Sequence, residues 1–198
     1  TVALVDPELT LSMPPAVTAS TGLDAFTQLI EAFVSVKANP ITDGICREGL
    51  RYVSRSLLQA YAHGDDLNAR TDMALGSLLG GLALANAGLG AIHGFAGPIG
   101  GMYEAPHGMV CAALLPGTCY ANIQALQERD ANNPALEKYL EVVRIITNNP
   151  NALRKEGLNW LEEICVKLKA PGLVAFGISE EDFPEIIKKS KNASSMKG

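Results

Sequence analysis

The chain has three histidines, His63, His93 and His107, and they carry most of the chemistry its side chains could do. His93 and His107 are each followed directly by glycine, and between them run Gly94, Gly97, Gly100 and Gly101 with Pro98. Neutral imidazole is the commonest protein ligand for first-row metals. Two imidazoles held at the ends of a short irregular segment can converge on one ion, although the spacing by itself does not require it. Asp24 interrupts an otherwise apolar face between Leu23 and Phe26. A carboxylate placed there must be paired or put to use. Two readings are open for it: a buried cap or salt bridge, with Arg47 or Arg51 as partner, or a metal ligand. Gln28 lies one turn on and shares its helix face. One Asp with two His suits a divalent first-row metal that keeps an open coordination position. His63, beside Gly64 and Asp65, reads as the C-terminal cap of a helix, where its side chain complements the helix dipole.

The elements that must position these residues are helical. Pro14-Pro15 suits a helix start, and Leu23, Phe26, Leu29, Ile30 and Phe33 recur three and four apart over 16–35. Asn39-Pro40 opens a second helix running to about residue 62, and Asp65 or Asp66 caps a third that reaches about residue 87. The glycines from Gly88 to Gly101 predict tight turns or close backbone approach instead of a stable helix. An apolar helix resumes at His107 and reaches about residue 126, kinked at Pro116. Asn133-Pro134 and Asn149-Pro150 predict helices over 135–146 and 152–169, and Ser179 opens a last one ending near Lys189. Val2-Ala3-Leu4-Val5 reads as a short strand with no partner in the chain, as if it belonged to a sheet upstream. Both ends look cut. The expected organisation is a linker with an orphan strand at 1–15, then one all-α domain over 16–198.

Hydrophobic residues make up 47% of the 198 and charged residues 19%, enough apolar material for a sizeable core. Aromatics are few while Ala, Leu and Gly are many, which favours closely packed helices. The net charge of −5 with interspersed signs gives no basic face, so a nucleic-acid role is not expected. Neither a signal peptide nor an uninterrupted membrane-spanning run stands out, so the expected setting is the cytoplasm with no membrane partner. Cys46, Cys111, Cys119 and Cys165 lie far apart in apolar, helical stretches and read as buried reduced thiols.

The run Gly88-Leu89-Gly90-Ala91-Ile92-His93-Gly94-Phe95-Ala96-Gly97-Pro98-Ile99-Gly100, with Ala105-Pro106-His107-Gly108, resembles the signature of the iron-containing alcohol dehydrogenases. Thr21-Gly22-Leu23-Asp24-Ala25-Phe26-Thr27-Gln28-Leu29-Ile30-Glu31 resembles that family's other hallmark, and the likeness covers essentially the whole chain. The resemblance implies an all-α, multi-helix, bundle-like domain similar to the dehydroquinate synthase-like C-terminal domain, with NAD(P) bound by a Rossmann-like domain upstream. It implies a divalent metal, Fe²⁺ or else Zn²⁺, held by Asp24, His93, His107 and the residue at position 28. Position 28, where the family has His, is Gln28, whose amide oxygen is a poorer donor and weakens the site. Gly97 replaces a second family histidine. The resemblance further implies Asp24, His93 and His107 as catalytic residues in hydride transfer between a small alcohol and its carbonyl form, with the metal as Lewis acid. Gly94 and Gly97 would let cofactor approach closely, close helix packing being the other reading of each. Two alternatives stay open: a degenerate relative with a weak or absent metal site, and a helical interaction module, against which the two His–Gly pairs argue. A homo-oligomer is expected, and the chain by itself is expected to be inactive.

Overall fold

The computed structural model describes residues 2–197, which form eight α-helices joined by short loops and 3₁₀ turns. Thr1 and Gly198, the outermost residues of the expected linker and domain, lie outside the described residues. Helix α1 (Pro15–Val34) is the axis of the fold. It is apolar almost all round, and a helix of that kind belongs inside a core. Leu23, Phe26, Leu29, Ile30, Ala32 and Phe33 are accordingly buried. Around it pack α2 (Pro40–Ala62), α3 (Leu67–Ala87) and α5 (His107–Arg129). Helix α4 (Ala91–Met102) lies against α5, α6 (Ala135–Ile146) against α2, α7 (Arg154–Lys167) against α5 and α6, and α8 (Phe183–Ser190) against α4.

The ends of these helices follow from local chemistry. Asn39 and Thr42 cap the start of α2 reciprocally, its side-chain oxygen taking the Ile41 and Thr42 N–H groups while Thr42 Oγ1 accepts from the Asn39 N–H. His63 is the C-cap of α2, as its position beside Gly64 predicts. Asp66, of the two aspartates, caps α3 through the Asn68 and Ala69 N–H groups. Helix α3 ends at Gly88, whose φ of +71° is open to glycine at no steric cost.

Four expectations need correction. Val2 to Val5 form no strand, and among the described residues there is no other strand to supply ladder partners. The glycine-rich stretch is helical from Ala91 onward, with Pro98 inside it. Burial of Ile92, Ala96 and Ile99 outweighs its poor intrinsic propensity, since most helical stability in proteins comes from packing. Helix α5 runs on through Pro116 to Arg129, beyond the expected end. Helix α7 starts at Arg154 and not at 152, because Glu156 accepts the Leu153 N–H at 2.7 Å and fixes the first turn there. Among the described residues, α5 is the single helix long and apolar enough by length and composition to cross a bilayer. Its apolar character has a place in the core, where Val110, Cys111, Leu115, Cys119 and Ile123 are buried.

Candidate metal centre

Asp24 on α1, His93 on α4 and His107 at the start of α5 come together although they are far apart in sequence. Asp24 Oδ1 lies 3.2 Å from His93 Nε2 and 3.5 Å from His107 Nε2. The two imidazole centroids are 5.4 Å apart. The His93 side chain is only 7% exposed and that of His107 48%, so the cluster has a buried wall and a side open to solvent. Arg47 and Arg51 are engaged elsewhere, with Glu141 and Glu48 respectively, so neither arginine is the partner of Asp24.

Close helix approach makes this convergence possible. A Cβ on Gly108 would sit 1.9 Å from the Ser20 carbonyl oxygen, so only glycine lets the first turn of α5 lie on the backbone of α1. A Cβ on Gly90 would meet Glu31 Oε1 at 2.9 Å. With glycine there, the Glu31 carboxylate reaches the N-terminus of α4 and accepts the Ile92 N–H at 2.6 Å. The other Glu31 oxygen is 2.6 Å from His93 Nδ1. That bond fixes the ring with Nδ1 on Glu31 and Nε2 facing Asp24. Glu31 therefore caps a helix and orients a ligand at once.

Gln28 donates its amide N–H to Asp24 Oδ2 at 2.9 Å, while its amide oxygen lies toward Gly80 on α3. In this arrangement Gln28 steadies the carboxylate through its N–H, with its oxygen on the Gly80 side. The glycines diverge as well. Gly94 is buried beneath Met196, whereas Gly97, one turn after His93, is exposed, and a Cβ there would meet nothing within 4 Å.

Two residues at the cluster escaped the sequence. Glu31 continues the Asp24–Gln28 face by three residues, a signal available from helix periodicity alone. Cys111 lies one turn after His107, with its Sγ 3.8 Å from His93 Nε2 and 3.7 Å from His107 Nε2. Its apolar surroundings in sequence gave it the appearance of an ordinary core thiol.

The electrostatics favour positive charge. Burial would raise the Asp24 carboxyl, but the His93 hydrogen bond and the two imidazole charges outweigh it and hold the group below its ordinary range. Burial would lower His93, yet its bonds to Asp24, Cys111 and Glu31 lift it to about 11. Burial pushes the Cys111 thiol up, partly offset by His93. The carboxylate of Asp24, two imidazole nitrogens and a thiol all lie within 4.8 Å of one another. A borderline-soft divalent ion fits this donor set, and the Glu31–His93 bond is the outer-shell support that metal-binding histidines commonly have.

The family described as "Fe-containing alcohol dehydrogenase family, C-terminal" matches residues 18–197. Long-chain-alcohol dehydrogenase 1 of Geobacillus thermodenitrificans is 53% identical over 115 residues, which are 58% of this chain and 29% of that protein. The 1,3-propanediol dehydrogenase of Klebsiella pneumoniae is 36% identical over 203 residues, 98% of this chain and 50% of that protein. A crystal structure of 1,3-propanediol oxidoreductase superposes with a TM-score of 0.87 at 35% identity, covering 96% of this chain and 49% of the other. The chain thus spans half or less of the length of these relatives.

Proposed function

Because the chain belongs to the Fe-containing alcohol dehydrogenase family, we propose that it is the metal- and substrate-binding part of an NAD(P)-dependent enzyme interconverting an alcohol and its aldehyde or ketone. The observation that carries this reading is the convergence of Asp24, His93 and His107 from three helices. These three residues would hold a divalent ion, Fe²⁺ or Zn²⁺, and the ion would supply Lewis acidity toward the substrate oxygen.

The chain's own residues prepare that site. Asp24 brings negative charge to offset the ion, and Gln28 fixes its rotamer through Oδ2. Glu31 holds the His93 proton on Nδ1, which leaves Nε2 as the nitrogen that would give up its proton to bind the ion. The exposed side of His107 is where a small alcohol or carbonyl compound would enter. Gly97 leaves room beside it for the nicotinamide, which a nucleotide-binding domain of the kind the family resemblance implies would deliver. Half-exposed Leu75, Leu78, Leu82 and Leu84 on α3 support self-association, and the four free, buried cysteines support a reducing cytoplasmic setting.

The test is anaerobic metal analysis of the chain with Fe²⁺ or Zn²⁺, followed by an NAD(P)H-coupled assay. We expect about one ion per chain and no turnover by the chain alone. Turnover should appear when it is joined to the nucleotide-binding half of a relative. A chain that takes up no ion, alone or joined, would instead be a degenerate relative with no working centre.

A further inference from the structure

Position 28 offers the ion no imidazole, and its amide oxygen is turned toward Gly80. A different side chain stands at the cluster with a donor atom to spare. We propose that Cys111 is a fourth metal ligand, binding through Sγ as the thiolate and completing the set Asp24, His93, His107. The proposal rests on the reading of this cluster as a metal centre.

The distances carry it. With the usual bond lengths to imidazole and thiolate, a tetrahedral ion keeps its nitrogen and sulfur ligands roughly 3.5 Å apart and its nitrogen and oxygen ligands roughly 3.3 Å apart. Cys111 Sγ lies 3.8 and 3.7 Å from the two Nε2 atoms, and Asp24 Oδ1 lies 3.2 and 3.5 Å from the same pair. Those are four of the six edges of one small tetrahedron, and the other two are no longer than 4.8 Å. The backbone supports it as well, since His107 and Cys111 are four residues apart on α5 and share a face by helix geometry. Cys46, Cys119 and Cys165 are not part of the cluster, so buried thiols in general do not gather here.

The chemical consequence is a change of preferred metal. A thiolate is soft, and its presence shifts a site of imidazole and carboxylate toward Zn²⁺ and away from Fe²⁺. Binding forms one metal–sulfur bond, breaks the S–H bond and releases that proton to solvent without any change of oxidation state.

Cobalt(II) titration of the full chain tests this, because its visible d–d bands report binding by any ligand set while a near-ultraviolet charge-transfer band requires sulfur. We expect both bands in the native chain. In Cys111→Ser the charge-transfer band should vanish while the d–d bands persist, with cobalt affinity falling by more than about tenfold. Cys111→Ala should behave the same way, and circular dichroism shows whether each variant is folded. Should neither fold, the native spectrum decides alone. Visible bands without sulfur charge transfer in the native chain would overturn the Cys111 assignment and leave the metal centre standing. No cobalt spectrum at saturation would overturn both.

Discussion

Two polar clusters lie along α1, one buried and one open to solvent on one side, and they are built on opposite plans. Near its start, Arg70 from α3 is 1% exposed, among the largest fully buried side chains of the molecule. Its guanidinium donates to the Gly64 carbonyl at 2.8 Å, to Thr18 Oγ1 at 2.8 Å and to the Met13 carbonyl at 3.1 Å. Each partner is neutral and each bond ends within the fold, so the cluster ties the entry to α1 to the turn between α2 and α3. Further along, Asp24, His93, His107 and Cys111 aim their donor atoms at one another. All four offer an electron pair to a cation, and Asp24 is neutralised by neither lysine nor arginine. A buried cation with every donor satisfied inside the fold marks a brace, whereas electron-pair donors converging on one point beside solvent mark a place for an ion.

That contrast can be broken by separating metal uptake from stability. The largest effect should come from His93→Ala, which removes a central donor. Elemental analysis should fall from about one ion per chain to near none, with the helical circular-dichroism spectrum retained. Arg70→Leu should do the reverse, lowering stability by about 3 kcal/mol in a urea melt because two carbonyls and a hydroxyl lose their donor, with metal content unchanged. Loss of metal in that variant would show that the two clusters are not independent. A smaller effect is expected of Glu31→Gln, which keeps the shape but removes the charge behind His93. Metal affinity by competition with a chelator should drop about 10- to 100-fold.

The smallest effect belongs to the bracing side. Arg55 and Ser56 on α2 both bond Asp72 on α3, and chiefly the Arg55 bond, against opposing burial, holds that carboxyl below its ordinary range. A depressed carboxylate contributes stability above its unfolded value of about 3.9, and that contribution is lost as pH falls through the lower folded value. Native chain and Asp72→Asn should therefore differ by under about 1 kcal/mol at neutral pH, given the exposed Arg55. Thermal melts should show the gap closing as the solution becomes strongly acidic. A gap that widens in acid would mean the Arg55–Asp72 pair is not its source.

Much of this was legible in the residues themselves. The apolar period of α1, the Asn39 and Asp66 caps and the Gly88 stop are local, because each depends on atoms within a few positions along the chain. Asp24 and the two histidines were legible as unusual residue types in apolar or glycine-rich surroundings. Helix α4 was not, since the local propensity of its glycines and Pro98 points away from a helix. Its formation depends on burial against α5 and α8 and on a cap from Glu31, 61 positions before Ile92.

What the sequence determined by itself was therefore the all-α class, most helix limits and the presence of Asp24, His93 and His107 as candidates. Tertiary structure alone decided that Glu31 orients His93, that Gln28 gives its N–H to Asp24, and that Cys111 stands at the cluster while three other buried cysteines do not. The physical reason is range. Caps and periodicity are settled within a turn or two of chain, but which donor atoms share a point in space is settled by how α1, α4 and α5 pack, and glycine at 90 and 108 is what lets them come that close.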